Sequence, residues 1–390
     1  MKGRKLLMIP GPVEFDPAVM RAMGSPTTSH VAPSFIESFG HSLEMMREVW
    51  LAPGGQPFIV AGTGTLAMDI AGSNLTEPGD RVLVVSTGYF GDRYAELLKR
   101  YGAEVTVLKA APGDIVPVEK IEAELKRQKY QLMTFTHVDT STAVLVDPEP
   151  IGMLGKKYGV ITILDGVCSV AGERIRQEEW GIDVVLTASQ KAIGVPPGLA
   201  LLVVSQDAMD KWRKRKTPVA NYYSDWSNWL PIMEAYEQRR PSYFGTPAVN
   251  LVAALEISLG IILKEGMENR FLRHEMMANA FRAALKALGL GMIPREERNA
   301  ANTLSAPRYP SGVDAAAFMK AMAATDVIIA GGLLPEMKNE YFRVGHMGQV
   351  NRSDIVATVA AIESALQTTG YFFGQGAGVT AVLNGTISAF

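Results

Sequence analysis

The feature that most constrains what this chain can fold into is an alternation, through its first half, of short β-rich apolar runs with amphipathic helical segments. Residues 81–86 (RVLVVS) read as a buried strand, and 90–101 follow with Phe90, Tyr94, Leu97, Leu98 and Tyr101 at helical spacing. Further strands are predicted at 105–108, 132–136, 160–164, 184–187 and 199–204, with helices near 118–129 and 150–157. Parallel strands need crossovers, and helices are the usual crossovers. The order therefore predicts an α/β fold: an open, mostly parallel central sheet with helices on both faces. Ligands of such sheets gather beyond the carboxyl ends of the strands.

After a proline-bounded loop at 241–247 the texture changes. Long helices are expected at 248–264 and 268–288, short strands at 327–330 and 341–344 around a glycine-rich turn, and a helix at 354–366. This predicts a large domain over 17–268 and a smaller C-terminal α/β domain over 269–370. Residues 1–16 would join the small domain or cross a partner. The tail, 371–390, shows no clear period; it would be mobile or lie on the body through Phe372, Phe373 and Phe390.

With 47% hydrophobic and 20% charged residues, 390 residues can bury a substantial core. A formal net charge of -2 gives no bulk attraction to nucleic acid or anionic membrane. The strongest basic run, 211–216, reads as a solvated helix end or a polyanion site. The one cysteine, Cys168, excludes an intrachain disulfide and a zinc site built from several cysteines; it reads as core. No stretch reads as a secretory leader or membrane span, and the C-terminal Ser-Ala-Phe is not the SKL peroxisomal address. A cytoplasmic location is the default expectation.

Three local patterns carry chemistry. Lys191, in LTASQKAIGVPPG, follows an apolar strand and precedes a glycine and two prolines that would hold its loop at a sheet edge. There a lysine amine can form a Schiff base with an aldehyde cofactor, although a lone lysine is more often a surface group. Asp165 ends the apolar run 161–164. It would pair with a cationic ring nitrogen or cap the following turn. AGTGT at 61–65 opens a helical run, where Gly64 and the hydroxyls of Thr63 and Thr65 can meet a phosphate, or where glycines simply make a turn. It lacks the Gly-Lys-Ser/Thr of a nucleotide P-loop. A serine hydrolase built on Ser189 and His137 is a further reading, without the usual strained elbow around the serine.

These blocks, with THVDTSTAVL at 136–145, DGVCS at 165–169, TASQKAIG at 187–194, YFGTP at 243–247 and YFRVGHMG near the end, appear in one order. The chain resembles the class V (fold type I) pyridoxal-phosphate-dependent aminotransferases, in their alanine/serine:glyoxylate or serine:pyruvate branch, from Pro10-Gly11-Pro12 to about Gly348. That resemblance implies a homodimer with shared active sites, and transfer of an amino group from alanine or serine to glyoxylate or pyruvate. It makes Lys191 the Schiff-base lysine and Asp165 the partner of the pyridine nitrogen. Phe90, where many relatives carry Trp, would stack on one ring face and Val167 would support the other. Thr140 would bond near the ring oxygen. Thr63, Gly64, Thr65 and Gln190 would hold the phosphate, with Tyr243 and Thr246 reaching it from the neighbouring subunit. Arg343, with Pro10 and Gly11, would take the substrate carboxylate. From the residues alone, Phe90 reads first as core, Tyr243 and Thr246 as loop order, and Arg343 as a surface ion pair. A noncatalytic protein on the same scaffold is the alternative of a different kind.

Overall fold

The computed structural model describes residues 5–387. Readings that fall on 1–4 and 388–390, among them Phe390 and the C-terminal Ser-Ala-Phe, lie outside them.

Seven strands form the central sheet, in the spatial order Gln56–Ala61, Leu199–Val204, Val184–Ala188, Ile161–Asp165, Leu132–Thr136, Arg81–Ser86 and Glu104–Lys109. Neighbours from Val184–Ala188 to Glu104–Lys109 pair in parallel. Leu199–Val204 runs against both of its neighbours. The reason is local: only residues 189–198 separate it from Val184–Ala188, too few for a parallel crossover. Successive side chains of a strand point to opposite faces, and every residue of Val184–Ala188 and Leu199–Val204 is buried. Both faces are therefore covered, which is why these strands read as unbroken apolar runs.

Elements not among the sequence expectations include the sheet-edge strand Gln56–Ala61 and the helices Pro33–Val49 and Trp226–Glu237, the last with Pro231 inside it. Around the sheet, one apolar cluster includes Val84, Ile163, Leu186, Leu202, Trp226 and Leu255. A second gathers Met8, Phe281, Phe318, Phe342, Val359 and Val382 from the chain's two ends.

The expected strand at 327–330 divides between two sheets. Val327–Ile328 pairs in parallel with Leu6–Leu7, while Ala330–Gly331 pairs antiparallel with the start of Phe342–Gly345. The tail is ordered by a helix, Ala377–Ile387, whose first turn is held by the Glu363 carboxylate accepting from the backbone N–H groups of Gly376, Gly378 and Val379. Phe373 packs on the second cluster; Phe372 is 96% exposed and does not. Among the described residues no helix is long and apolar enough to cross a membrane.

Candidate active site

The carboxyl ends of the parallel strands and the 189–198 turn meet at one edge of the sheet, where a pocket is lined by Thr63, Gly64, Thr65, Phe90, Thr140, Asp165, Val167, Gln190 and Lys191. Residues separated by well over a hundred positions in sequence share it.

The strand Gln56–Ala61 leads through Gly62 into the helix Gly64–Leu75, with Thr63 as its N-cap accepting from Leu66 N. Gly64 and Thr65 thus bring the free N–H groups and positive end of a twelve-residue helix to the pocket, a ready anion site. Close approach is required here: a Cβ on Gly64 would lie 2.9 Å from Val167 Cγ2.

Asp165, the last residue of its strand, is 2% exposed. Its Oδ1 accepts from Val167 N at 3.1 Å. Burial pushes its carboxyl up to about 7; that N–H pulls the other way, nearby Asp139 adds to the rise, and Lys191 and Arg93 oppose it. A buried carboxyl so displaced calls for a cationic partner.

Lys191 is 9% exposed, and its Nζ donates to Pro10 O. The crossing N-terminal segment is seated by Val13 N donating to Gln190 O at 3.1 Å and by Gly345 N donating to Met8 O at 2.9 Å. Gly11 lies against the lysine, where a Cβ would fall 2.6 Å from Lys191 Cδ. Pro10 and Gly11 therefore border Lys191.

Phe90 is half-buried in the first turn of Tyr89–Arg100, with the Arg93 guanidinium 5.0 Å from its ring centroid. Its backbone N–H donates to Asp139 Oδ2 at 2.9 Å, and Ser141 donates to Asp139 Oδ1 through both N and Oγ. Asp139, fully buried, was not singled out in the sequence. The signal was available, since it is a carboxylate three residues beyond a predicted strand, as Asp165 is one beyond another. Thr136, Val138, Met68 and Cys168 also line the pocket without having been expected there; Cys168 is buried as well.

Arg343 is not among the lining residues. Its Nε donates to Gly331 O at 2.8 Å and its Nη1 to Thr140 O at 3.2 Å, so it touches the pocket wall through the backbone of Thr140. Tyr243, 63% exposed, and the exposed Thr246 stand outside this chain's pocket.

Other sequence readings resolve differently. In the basic run, Arg215 donates to the carbonyls of Asn74 and Thr76, Arg213 pairs with Asp210 and Lys211 with Asp80. The Ser189 hydroxyl donates to Pro196 O and accepts from Leu199 N, and the structure gives it no contact with His137.

The donor set fits a flat ring bearing a phosphate and a cationic nitrogen. Asp165 faces the pocket, the helix end at Gly64 and Thr65 offers N–H groups, and Thr136 Oγ1, Thr140 Oγ1 and Gln190 Oε1 are buried without a hydrogen-bond partner.

Residues 23–337 match the aminotransferase class-V family model. The chain is 40% identical to alanine–glyoxylate aminotransferase 1 of Saccharomyces cerevisiae over 88% of its own length and 91% of the relative's. With L-aspartate–glyoxylate aminotransferase of Paracoccus denitrificans the identity is 30%, covering 98% of this chain and 96% of that one. The crystal structure of ureidoglycine–glyoxylate aminotransferase from Bacillus subtilis superposes with a TM-score of 0.92, at 27% identity, over 99% of this chain and 98% of that one. The family model spans most of the chain and these relatives match it along nearly their whole length, so the chain belongs to the class-V aminotransferase family.

Proposed function

We propose that this chain uses pyridoxal phosphate to move an amino group from a small amino acid, alanine or serine, to glyoxylate. The family and its fold are pyridoxal-phosphate-dependent in general. The observation that carries the reading is the joint presence of Lys191, buried Asp165 and the Gly64–Leu75 N-terminus in one pocket. The three relatives described differ in donor but share glyoxylate in their names, which favours glyoxylate as acceptor.

When bound, the cofactor supplies a carbonyl carbon for amine exchange and a ring that takes up negative charge. Thr63, Gly64, Thr65 and Gln190 would hold its phosphate. Phe90 and Val167 would flank the ring, Asp165 would face the ring nitrogen and Thr140 the ring oxygen. Lys191 Nζ would take the proton from the substrate Cα in one half-cycle and restore one there in the other. Burial of the amine beside Pro10 O keeps that proton from bulk water. Arg343 would turn its fork from the carbonyls of Gly331 and Thr140 to the substrate carboxylate.

A homodimer is part of the proposal: exposed Tyr243 and Thr246 would reach the partner's phosphate. So is the division into a large domain, 17–268, and a small one, 269–370, which the two apolar clusters support.

A matrix of amino donors against glyoxylate and pyruvate tests the assignment, with each half-reaction followed spectroscopically in purified holoenzyme. Ping-pong kinetics with glyoxylate are expected; exclusive use of other oxo acids would sink the acceptor assignment. Gly11→Ala offers a sharper check on Lys191. The new Cβ would press on the lysine stem, at a φ of 106° that side chains rarely adopt. Turnover should fall about tenfold to a hundredfold with cofactor stoichiometry preserved. Unchanged turnover would show that Gly11 does not guide the lysine.

A further inference from the structure

The side of the Lys191 turn that faces away from the pocket is held by an arginine with almost no access to solvent. The helix Val249–Glu265 ends at Gly266, whose φ of 83° turns the chain into Met267–Ala287. In the first turn of that second helix, Arg270 is 1% exposed. Its Nη2 donates to Ala192 O at 2.6 Å, its Nε to Ala171 O at 2.7 Å and its Nη1 to Glu265 Oε2 at 2.9 Å.

Ala192 is the residue after Lys191, and the carbonyls on either side of it are also engaged. Lys191 O accepts from Gly194 N at 2.8 Å, and Ile193 O accepts from the Ser258 hydroxyl. Three successive carbonyls of the turn are therefore bound, the middle one by a charged donor, the stronger kind of hydrogen bond. Burying a guanidinium this deeply is costly, and an apolar side chain of similar volume would often be as stable. What an apolar residue would not do is hold two backbone carbonyls from two different segments.

The same carboxylate reaches further. Glu265 also accepts from Arg273 Nε at 2.6 Å and Nη2 at 3.1 Å, while Arg273 donates to Gly348 O at 3.0 Å and Val350 O at 3.1 Å. One helix turn on from Arg270, His274 Nε2 accepts from Gly348 N at 3.0 Å. Glu265 thus joins a guanidinium under the Lys191 turn to one gripping the backbone that follows the Phe342–Gly345 strand, the strand of Arg343.

We propose that Arg270 is a positioning residue for Lys191, fixing the direction from which its amine enters the pocket and tying that turn, through Glu265 and Arg273, to the segment downstream of Arg343. This rests on the reading of Lys191 as the cofactor-bearing amine.

The test uses holoenzyme of Arg270→Met and Arg270→Lys, with Arg282→Met as the control. Arg282 is a second buried arginine on the same helix; it donates to Ala301 O and is far in the chain from the Lys191 turn. Thermal stability, KM, kcat and the pH midpoint of the bound cofactor's visible absorbance are read for each. For Arg270→Met, kcat should fall about tenfold to a hundredfold with KM within about threefold, because misplacement of a reacting group acts on turnover. The absorbance midpoint should rise by about half a unit or more, since loss of a buried cation eases protonation nearby. Arg270→Lys, with fewer donors, should recover part of both. Arg282→Met should lose stability yet keep wild-type kcat and midpoint. The proposal is overturned if folded Arg270→Met keeps both wild-type values, or if Arg282→Met moves them equally. Should Arg270→Met not fold, Arg270→Lys decides: wild-type kcat and midpoint in that variant overturn it. A wild-type protein without visible cofactor absorbance would instead overturn the Lys191 reading, and this proposal with it.

Discussion

Lys191→Ala should lower turnover by about 10⁴-fold, the upper range for losing a positioned proton-transfer group, while leaving the fold intact. The expectation of an intact fold is structural. The carbonyls of residues 191–193 are held by Gly194 N, Arg270 and Ser258, none of which involves the lysine side chain. Truncation removes the donor to Pro10 O and little else from the hydrogen bonding of the turn. The lost activity would therefore be chemical rather than conformational. Circular dichroism should match the parent, and single-turnover mixing with alanine or serine should show the donor half-reaction almost abolished. Partial recovery on adding a small free amine would point to the missing proton carrier. Normal half-transamination by a folded Lys191→Ala protein would remove the catalytic basis of the proposed function.

Much of the sheet was legible because its strands are covered on both faces and so appear as continuous apolar runs; Leu199–Val204 is buried at every position. Gln56–Ala61 was harder, being at the sheet edge and half-buried at both its ends. Ala377–Ile387 was not legible at all. Its sequence, AGVTAVLNGTI, has weak intrinsic helical preference, and the interaction that seats it comes from Glu363 on another helix. The expected strand at 327–330 was split because its two halves find partners at opposite ends of the chain, Leu6–Leu7 and Phe342–Gly345.

Site residues divide in the same way. Lys191, Asp165 and Gly64 carry local signals: the first two stand at the ends of apolar strand runs and the third in a glycine-threonine turn that opens a helix. Asp139 and Arg270 depend on contacts between distant segments. Asp139 acts on the Phe90 amide across 49 positions, and Arg270 on Ala192 across 78. An arginine in a helix ordinarily reads as a solvated group, and only the assembled fold reveals the carbonyls it serves.

Asp165→Asn should have opposite effects on cofactor-free stability and on catalysis, which makes it the most discriminating change at this site. In the cofactor-free protein the carboxyl titrates near 7 against an ordinary value of 3.8. Between those values the folded state holds a proton that the unfolded state has released, so stability falls as pH rises from about 4 to about 7. The amide has the shape of the protonated acid and cannot ionise. At pH 8 the cofactor-free variant should therefore be more stable than the parent by about 2–4 kcal/mol, and near pH 4 the two should converge. Buried His137, His274 and His346 are held below their usual range by burial and weaken both proteins towards acid, so they cancel in the difference. Thermal melts at pH 5 and pH 8 measure it; a variant with no stability advantage at pH 8 would mean that the parent bears no buried charge there. In the holoenzyme the sign reverses. On the proposed reading Asp165 would face a protonated ring nitrogen as half of a buried pair, and breaking such a pair costs about 3–5 kcal/mol. Expressed in the transition state, that is a loss of about 10²–10⁴-fold in turnover. Gain of stability without cofactor together with loss of turnover with it is what a carboxylate kept buried for its ligand produces, whereas an aspartate that merely capped the turn at Val167 would be replaced by an amide whose oxygen accepts the same bond, with turnover unchanged.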